Sequence, residues 1–140
     1  MSADRRHPDD PPPGFVESTG RGPFTRHNGP FFHLTTDDGF RHGFRVKDRH
    51  CNGHGIVHGG LLMAFADGLL GTAVWRAVKG PSLTVRMTSD FLSIGKPGDW
   101  IEGTATVTRA TRTIAFVRGE VFVGKRIIMT ADGVFKIMER

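Results

Sequence analysis

Chemistry-bearing residues concentrate in one short run: Asn52-Gly53-His54-Gly55-Ile56-Val57-His58-Gly59-Gly60-Leu61-Leu62-Met63-Ala64-Phe65-Ala66-Asp67. Two glycines at a helix start cost the helix roughly 1 kcal/mol each relative to alanine. Close approach of the backbone to a ligand, or to other backbone, is one reason to keep them. The first N–H groups of a helix have no partner within it, and the dipole makes that end positive. An oxyanion forming there is stabilised, which makes the Gly59 N–H a candidate donor. Asp67 falls on one helical strip with Gly60, Met63, Gly71 and Val74. A carboxylate among small and apolar neighbours tends toward a raised pKa and meets little competing water. That suits a general base or a nucleophile.

Spacing then constrains how the two groups act. Asp67 follows Gly59 by eight residues, which is about 12 Å along a helix. One carbonyl cannot reach both within a single chain. Two such helices packed antiparallel across a two-fold axis would set Gly59 of one chain against Asp67 of the other, so the chemistry requires a homodimer. Simpler readings stand beside this one. Asp67 could be a solvated helix residue, Gly59-Gly60 a close-packing device, Asn52 a turn or cap, and His58 a satisfied core histidine. His50, His54 and His58 are spaced by four beside Cys51, as a zinc site on a helix would be. The glycines at 53, 55, 59 and 60 argue against a helix through all three, so no metal is expected.

The elements that position this run follow from periodicity. Phe31–Thr36 reads as a strand, Asp37-Asp38-Gly39 as a hairpin turn, and Phe40, His42, Phe44 and Val46 as the apolar face of a second strand. The Gly-rich loop at 51–55 leads into a helix from about Val57 to Val78, with Leu62, Phe65, Leu69 and Ala73 on its core stripe. Gly80-Pro81 ends it. Four more strands follow. Leu83, Val85, Met87 and Phe91 are expected to share one face, and Ile101, Gly103, Ala105 and Val107 the next. The order is β-β-α-β-β-β-β. An α+β domain results, with an antiparallel sheet of about six strands wrapped around one long apolar helix. Residues 1–13, with the run Pro11-Pro12-Pro13, read as a flexible tail, and residues 14–140 as a single domain.

Composition excludes several classes. The chain has 140 residues, 38% hydrophobic and 24% charged, which is enough for one core and unlike a disordered chain. No stretch approaches the ~18–20 apolar residues of a spanning helix, and no secretory signal is visible, so no membrane association is expected. The 19 Lys and Arg residues against 14 Asp and Glu give a formal charge of +5. The cations are scattered, without the aromatic interleaving of a single-strand binder, so nucleic acid is not the expected partner. One cysteine, Cys51, excludes an internal disulfide and suits a reducing cytoplasm.

The pattern Asn52, His58-Gly59-Gly60, Asp67 resembles the hotdog-fold acyl-CoA thioesterases, in their PaaI-like (phenylacetate-pathway) branch. Leu83-Thr84-Val85-Arg86-Met87, Phe91-Leu92 and Lys96-Pro97-Gly98-Asp99 are similar to that family's first strand after the helix and its Pro-Gly-Asp turn. The resemblance covers about Pro30 to Met138. It implies that the Gly59 N–H, assisted by Asn52, polarises a thioester carbonyl, and that Asp67 of the partner chain activates water or attacks directly. It implies that Thr84 helps orient the water and that His58 anchors the loop before the helix. Val57 and Gly60 would flank the substrate. Arg86, Arg109 and Arg112 are candidates for holding the CoA nucleotide. CoA is then part of the substrate and no separate cofactor is needed. A homotetramer built from two dimers is the implied assembly. Two other functions fit the same residues less well. One is a non-catalytic protein, either an acyl-CoA-binding regulator or a structural interaction module without tight CoA binding. The other is a hotdog dehydratase or hydratase using His54, whose loop and motif patterns are missing here.

Overall fold

The computed structural model describes residues 11–138. The expectation for residues 1–13 therefore falls mostly outside the described residues. The elements are β1 (Val16–Glu17), α1 (Pro23–Asn28), β2 (Phe32–Thr36), β3 (Gly39–Arg45), α2 (Gly59–Val78), β4 (Ser82–Phe91), β5 (Trp100–Ala110), β6 (Ile114–Val123) and β7 (Arg126–Ile137). All strands join one antiparallel sheet in the order β1-β2-β3-β5-β6-β7-β4. The sheet has seven strands, one more than expected, and a short helix precedes β2. Both additions lie in 14–30, where few apolar residues signal them. Tertiary contacts hold that segment. The Phe15 ring packs edge-on against Trp100, with centroids 5.1 Å apart, and Ser18 N–H donates to the Phe31 carbonyl at 2.8 Å.

One core forms between α2 and the sheet. Leu62, Phe65, Ala66, Leu69, Leu70, Ala73 and Val74 of α2 are buried against Phe44, Ile101, Val117, Val121, Met129 and Phe135. Gly103, Gly119 and Gly133, on β5, β6 and β7, form a trough for Leu69 and Leu70. A Cβ at Gly103 would come within 2.8 Å of Leu69 Cδ2, and one at Gly133 within 2.9 Å of Leu70 Cδ1. Burying each leucine contributes about 1.5–3 kcal/mol, so small residues in the strands fix where the helix lies.

α2 begins two residues later than periodicity suggests. Val57 is held extended by a bridge to Cys51, and His58 is the N-cap with φ −65° and ψ 133°. Lys79, with φ 56°, closes the helix, and its N–H donates to the Trp75 carbonyl at 2.8 Å. The helix has 20 residues and, by length and composition alone, is long and apolar enough to cross a membrane. The sequence expectation counts continuous apolar residues, which Asp67, Thr72 and Arg76 interrupt, whereas the leucines, alanines and valines keep the average over the helix apolar. Its apolar stripe is nonetheless spent on the sheet.

β4 also departs from simple alternation. Thr84 pairs with Phe135 but Arg86 pairs with Val134, so a bulge lies between them. The bulge reverses the side-chain phase. Thr84, Met87, Ser89 and Phe91 face the helix, while Leu83 and Arg86 face outward. The expected common face of Leu83, Val85, Met87 and Phe91 is therefore broken. β4 is a sheet edge, and Leu83, Val85 and Phe91 are 57%, 63% and 52% exposed.

Candidate active site

The loop before α2 is a tight turn stitched by its own backbone. Asn52 N–H donates to the Ile56 carbonyl at 2.8 Å, and Gly55 N–H to the Asn52 carbonyl at 3.0 Å, with Gly55 at φ +74°. The Asn52 Oδ1 accepts from His54 N–H at 2.9 Å, and its Nδ2 amide has no hydrogen-bond partner among the described residues. His58 caps the helix, with its Nδ1 accepting from Gly60 N–H at 2.7 Å. This bond satisfies one of the orphan donors of the first turn. The Gly60 donor is consumed, whereas the Gly59 N–H has no hydrogen-bond partner among the described residues. Gly59, Asn52, Val57, Leu62, Phe91, Leu92 and Ile94 line a cleft of about 390 Å³. The Phe91 ring closes one side, with Cε1 3.5 Å from where a Gly59 Cβ would lie.

Asp67 is partly buried, two turns farther along α2. Thr84 Oγ1 donates to its Oδ1 at 2.6 Å, a short charge-assisted bond. The β4 bulge makes this contact by turning Thr84 toward the helix. Asp67 does not border the Gly59 cleft. Because both sit on one continuous helix, their separation along the axis stays near 12 Å.

The structure therefore brings together Asn52, Val57 and Gly59, and separately Asp67 and Thr84. It does not bring the cationic candidates to either group. Arg86 lines an outer-face cleft of about 250 Å³ with Arg118 and Asp132, and Arg109 is exposed on β5. Arg112 borders a cleft of about 740 Å³ with Ala77 and Val78, at the far end of α2 from Gly59. Sequence reasoning missed Arg126. It donates to Ser93 Oγ at 2.6 Å and to the Ile94 carbonyl at 2.7 Å, beside the Gly59 cleft.

Two other histidines are engaged elsewhere. His50 Nδ1 accepts from Lys47 N–H at 3.0 Å and its Nε2 donates to the Asn28 carbonyl at 2.8 Å; burial pushes its pKa down. His42 is buried under α2 beside the Arg21 guanidinium, 3.4 Å from its Nδ1. Burial, then the charges of Arg21 and His33, hold its pKa down at about 3. His54 is exposed. Among the described residues no three His, Cys, Asp or Glu side chains converge as metal ligands.

Comparison with known proteins now adds to the geometry. A family model described as the Thioesterase superfamily matches residues 54–129, more than half of the chain. The chain belongs to the Thioesterase superfamily. The matched span carries Gly59, Asp67 and Thr84, and lies in the helix-and-sheet arrangement of the hotdog fold. A Pseudomonas aeruginosa protein named "putative esterase PA0474" is 34% identical over 131 residues, covering 90% of this chain and 96% of that protein. Human acyl-coenzyme A thioesterase 13 is 33% identical over 73 residues, about half of each chain. In three dimensions, this thioesterase-superfamily chain superposes on a variant of the phenylacetic acid degradation protein PaaI from Thermus thermophilus. The TM-score is 0.73 at 24% identity, covering 84% of this chain and all of that one, so the hotdog fold expected from the PaaI-like resemblance is present.

Proposed function

We propose that the protein is an acyl-CoA thioesterase acting at a site shared by two subunits. The observation that carries this reading is the 2.6 Å hydrogen bond that sets the Asp67 carboxylate on the same helix that begins with the unpartnered Gly59 N–H. The thioester carbonyl sits in the Gly59 cleft. Its oxygen gains negative charge as water adds to carbon, and the Gly59 N–H with the Asn52 amide stabilises that charge. Asp67 of the second chain takes the proton from the attacking water. Collapse of the tetrahedral intermediate breaks the C–S bond and expels the CoA thiolate, which recovers the proton from Asp67. The products are the free acid and CoA. Direct attack by Asp67, through an anhydride that water then opens, uses the same residues. The acyl-CoA assignment is supported by the relative named an acyl-coenzyme A thioesterase.

Dimerisation is supported by the fixed offset between Gly59 and Asp67 and by the exposed apolar edge of β4. Pairing two β4 edges would extend the sheet and bring two α2 helices together. A tetramer of two such dimers follows from the resemblance. Arg126 at the cleft rim is a cation suited to a CoA phosphate, alongside Arg86 and Arg112 from other protomers. The free thiol of Cys51 fits a reducing, cytoplasmic setting.

Release of CoA thiol from a panel of aromatic and aliphatic acyl-CoAs tests the reading. Asp67→Asn should abolish turnover and leave CoA binding intact. Mixing Asp67→Asn chains with Gly59→Pro chains should restore about a quarter of wild-type activity, because half of random dimers then hold one undamaged site. Confirmed mixed dimers without activity would refute the shared site. Tight CoA binding with no turnover on any substrate would make the protein an acyl-CoA-binding regulator.

A further inference from the structure

β4 carries, on its helix-facing side, a hydroxyl that the protein leaves unsatisfied. Ser89 Oγ is shielded from solvent and has no hydrogen-bond partner among the described residues. Register fixes where it lies. Ser89 pairs with Ala131 and Phe91 with Met129, and both β7 partners are buried. Ser89 and Phe91 thus face the helix together. Phe91 closes the cleft over Gly59, and Ser89 sits one side-chain pair inward, roughly 6–7 Å along the strand. Toward the other end of the same face, Thr84 holds Asp67. The hydroxyl therefore lies on β4 between the wall of the oxyanion cleft and the partner of the base, which serve the two different sites of the proposed dimer.

A buried donor without a partner destabilises a protein, and native structures hold few of them. Alanine at 89 would fit the same space with no such penalty. A hydroxyl kept there, one same-face position inward of the Phe91 wall of the cleft, gains its hydrogen bond when a ligand reaches past that wall. We propose that Ser89 contacts the substrate, hydrogen-bonding a polar group of the bound thioester a few bonds from the scissile carbonyl. This rests on the thioesterase reading and deepens it. Two parts of such a substrate offer that chemistry: the first amide of the pantetheine arm, and an oxygen on the acyl group.

The test is Ser89→Ala in the full chain, with Ser89→Thr as the variant that retains a hydroxyl. Three substrates are compared: an unsubstituted acyl-CoA, its 3-hydroxyacyl counterpart, and an alkyl thioester lacking the amide. Turnover is read together with the Kd for each CoA thioester and the Tm of the free protein. Ser89→Ala should lower kcat/KM about three- to tenfold, and weaken binding similarly, while Tm rises by about 1–4 °C. Ser89→Thr should recover most of the loss. A loss shared by both CoA thioesters but absent with the alkyl thioester assigns the contact to pantetheine. A loss confined to the hydroxyacyl substrate assigns it to the acyl group. Unchanged kinetics and binding would overturn the proposal. So would a lowered Tm or a shift to monomers, because the hydroxyl would then serve packing or subunit contact. Wild type that binds thioesters without cleaving them would remove the hydrolase reading, while Kd would still read the Ser89 contact. Wild type that neither binds nor cleaves would overturn both.

Discussion

Gly59→Pro isolates the proposed oxyanion donor. Gly59 is the first residue of α2, where proline is favoured because the N–H has no partner in the helix. His58 before it has ψ 133°, the extended conformation that a residue preceding proline adopts. A Cβ at 59 would meet Phe91 Cε1 at 3.5 Å and Cζ at 3.7 Å, which are ordinary contact distances. The substitution thus deletes one hydrogen-bond donor and leaves the helix standing. Removing one oxyanion donor costs about 2.7–4 kcal/mol of transition-state stabilisation, or ~10²–10³ in kcat. Stability should move the other way, by about 0.4–1 kcal/mol in favour of the variant, since proline restricts the unfolded chain. Gly59→Ala keeps the N–H and fits the same space, so it should retain most of the activity. Thiol release, thermal unfolding and CoA binding would be measured on all three proteins. A Gly59→Pro protein with unchanged Tm and kcat within about threefold of wild type would refute the role of this N–H.

Thr84→Val should lower kcat/KM about tenfold by removing the bond to the Asp67 carboxylate, and Thr84→Ser should restore it; equal activity of the valine variant would show that Asp67 needs no such anchor. His42, with its folded pKa near 3 against an unfolded value of 6.5, takes up a proton in the unfolded chain first. Wild type should therefore lose about 2–3 kcal/mol more than His42→Gln between pH 6.5 and 4.5, read by denaturant unfolding, and parallel pH profiles would contradict this. Gly103→Val should destabilise the fold by about 1–3 kcal/mol, because its Cβ would crowd Leu69 Cδ2 at 2.8 Å and the Glu120 carbonyl at 3.1 Å; a neutral effect on Tm would show that the trough is slack.

The parts of the site that were legible in the sequence are those fixed by local geometry. Asn52, His58, Gly59 and Asp67 lie on one loop and one helix, so their spacing alone gives their order and the 12 Å offset. Thr84 was reached only through family resemblance. Its approach to Asp67 depends on the β4 bulge, which arises from pairing with a strand some 50 residues away. The same bulge defeats the alternation read over Leu83, Val85 and Met87. Phe91 is expected on the strand's apolar face, but nothing local marks it as a wall of the cleft or singles out Ser89, a lone serine on that face. β1 and α1 were illegible for a related reason. Their docking relies on β1–β2 pairing and scattered individual contacts, such as Phe15 on Trp100 and Arg21 beside His42, not on a repeating apolar period.

These observations bear on why the proposed site would draw its two halves from different chains. Within one chain, Gly59 and Asp67 are rigidly coupled, because α2 is an unbroken helix seated by Leu69 and Leu70 in the Gly103, Gly119 and Gly133 trough. In the proposed mechanism that coupling keeps the two groups apart within a monomer and favours precision in a two-fold dimer. Once one Gly59 faces one Asp67 across the axis, symmetry sets the second pair, and only the helix-to-helix offset remains to be controlled. The trough controls that offset. Its glycines, far from the chemistry, should therefore matter to turnover as well as to stability. A milder substitution than valine, Gly119→Ala, would bring a Cβ to 3.0 Å from Leu70 Cδ2 and 3.2 Å from the Thr104 carbonyl, lifting α2 by a few tenths of an ångström. If seating of α2 aligns the shared site, kcat should fall more than the fraction of folded protein does at the assay temperature. A fall in activity that merely tracks unfolding would mean that the two halves tolerate misalignment, and that the dimer contact alone, through the β4 edges, sets the geometry.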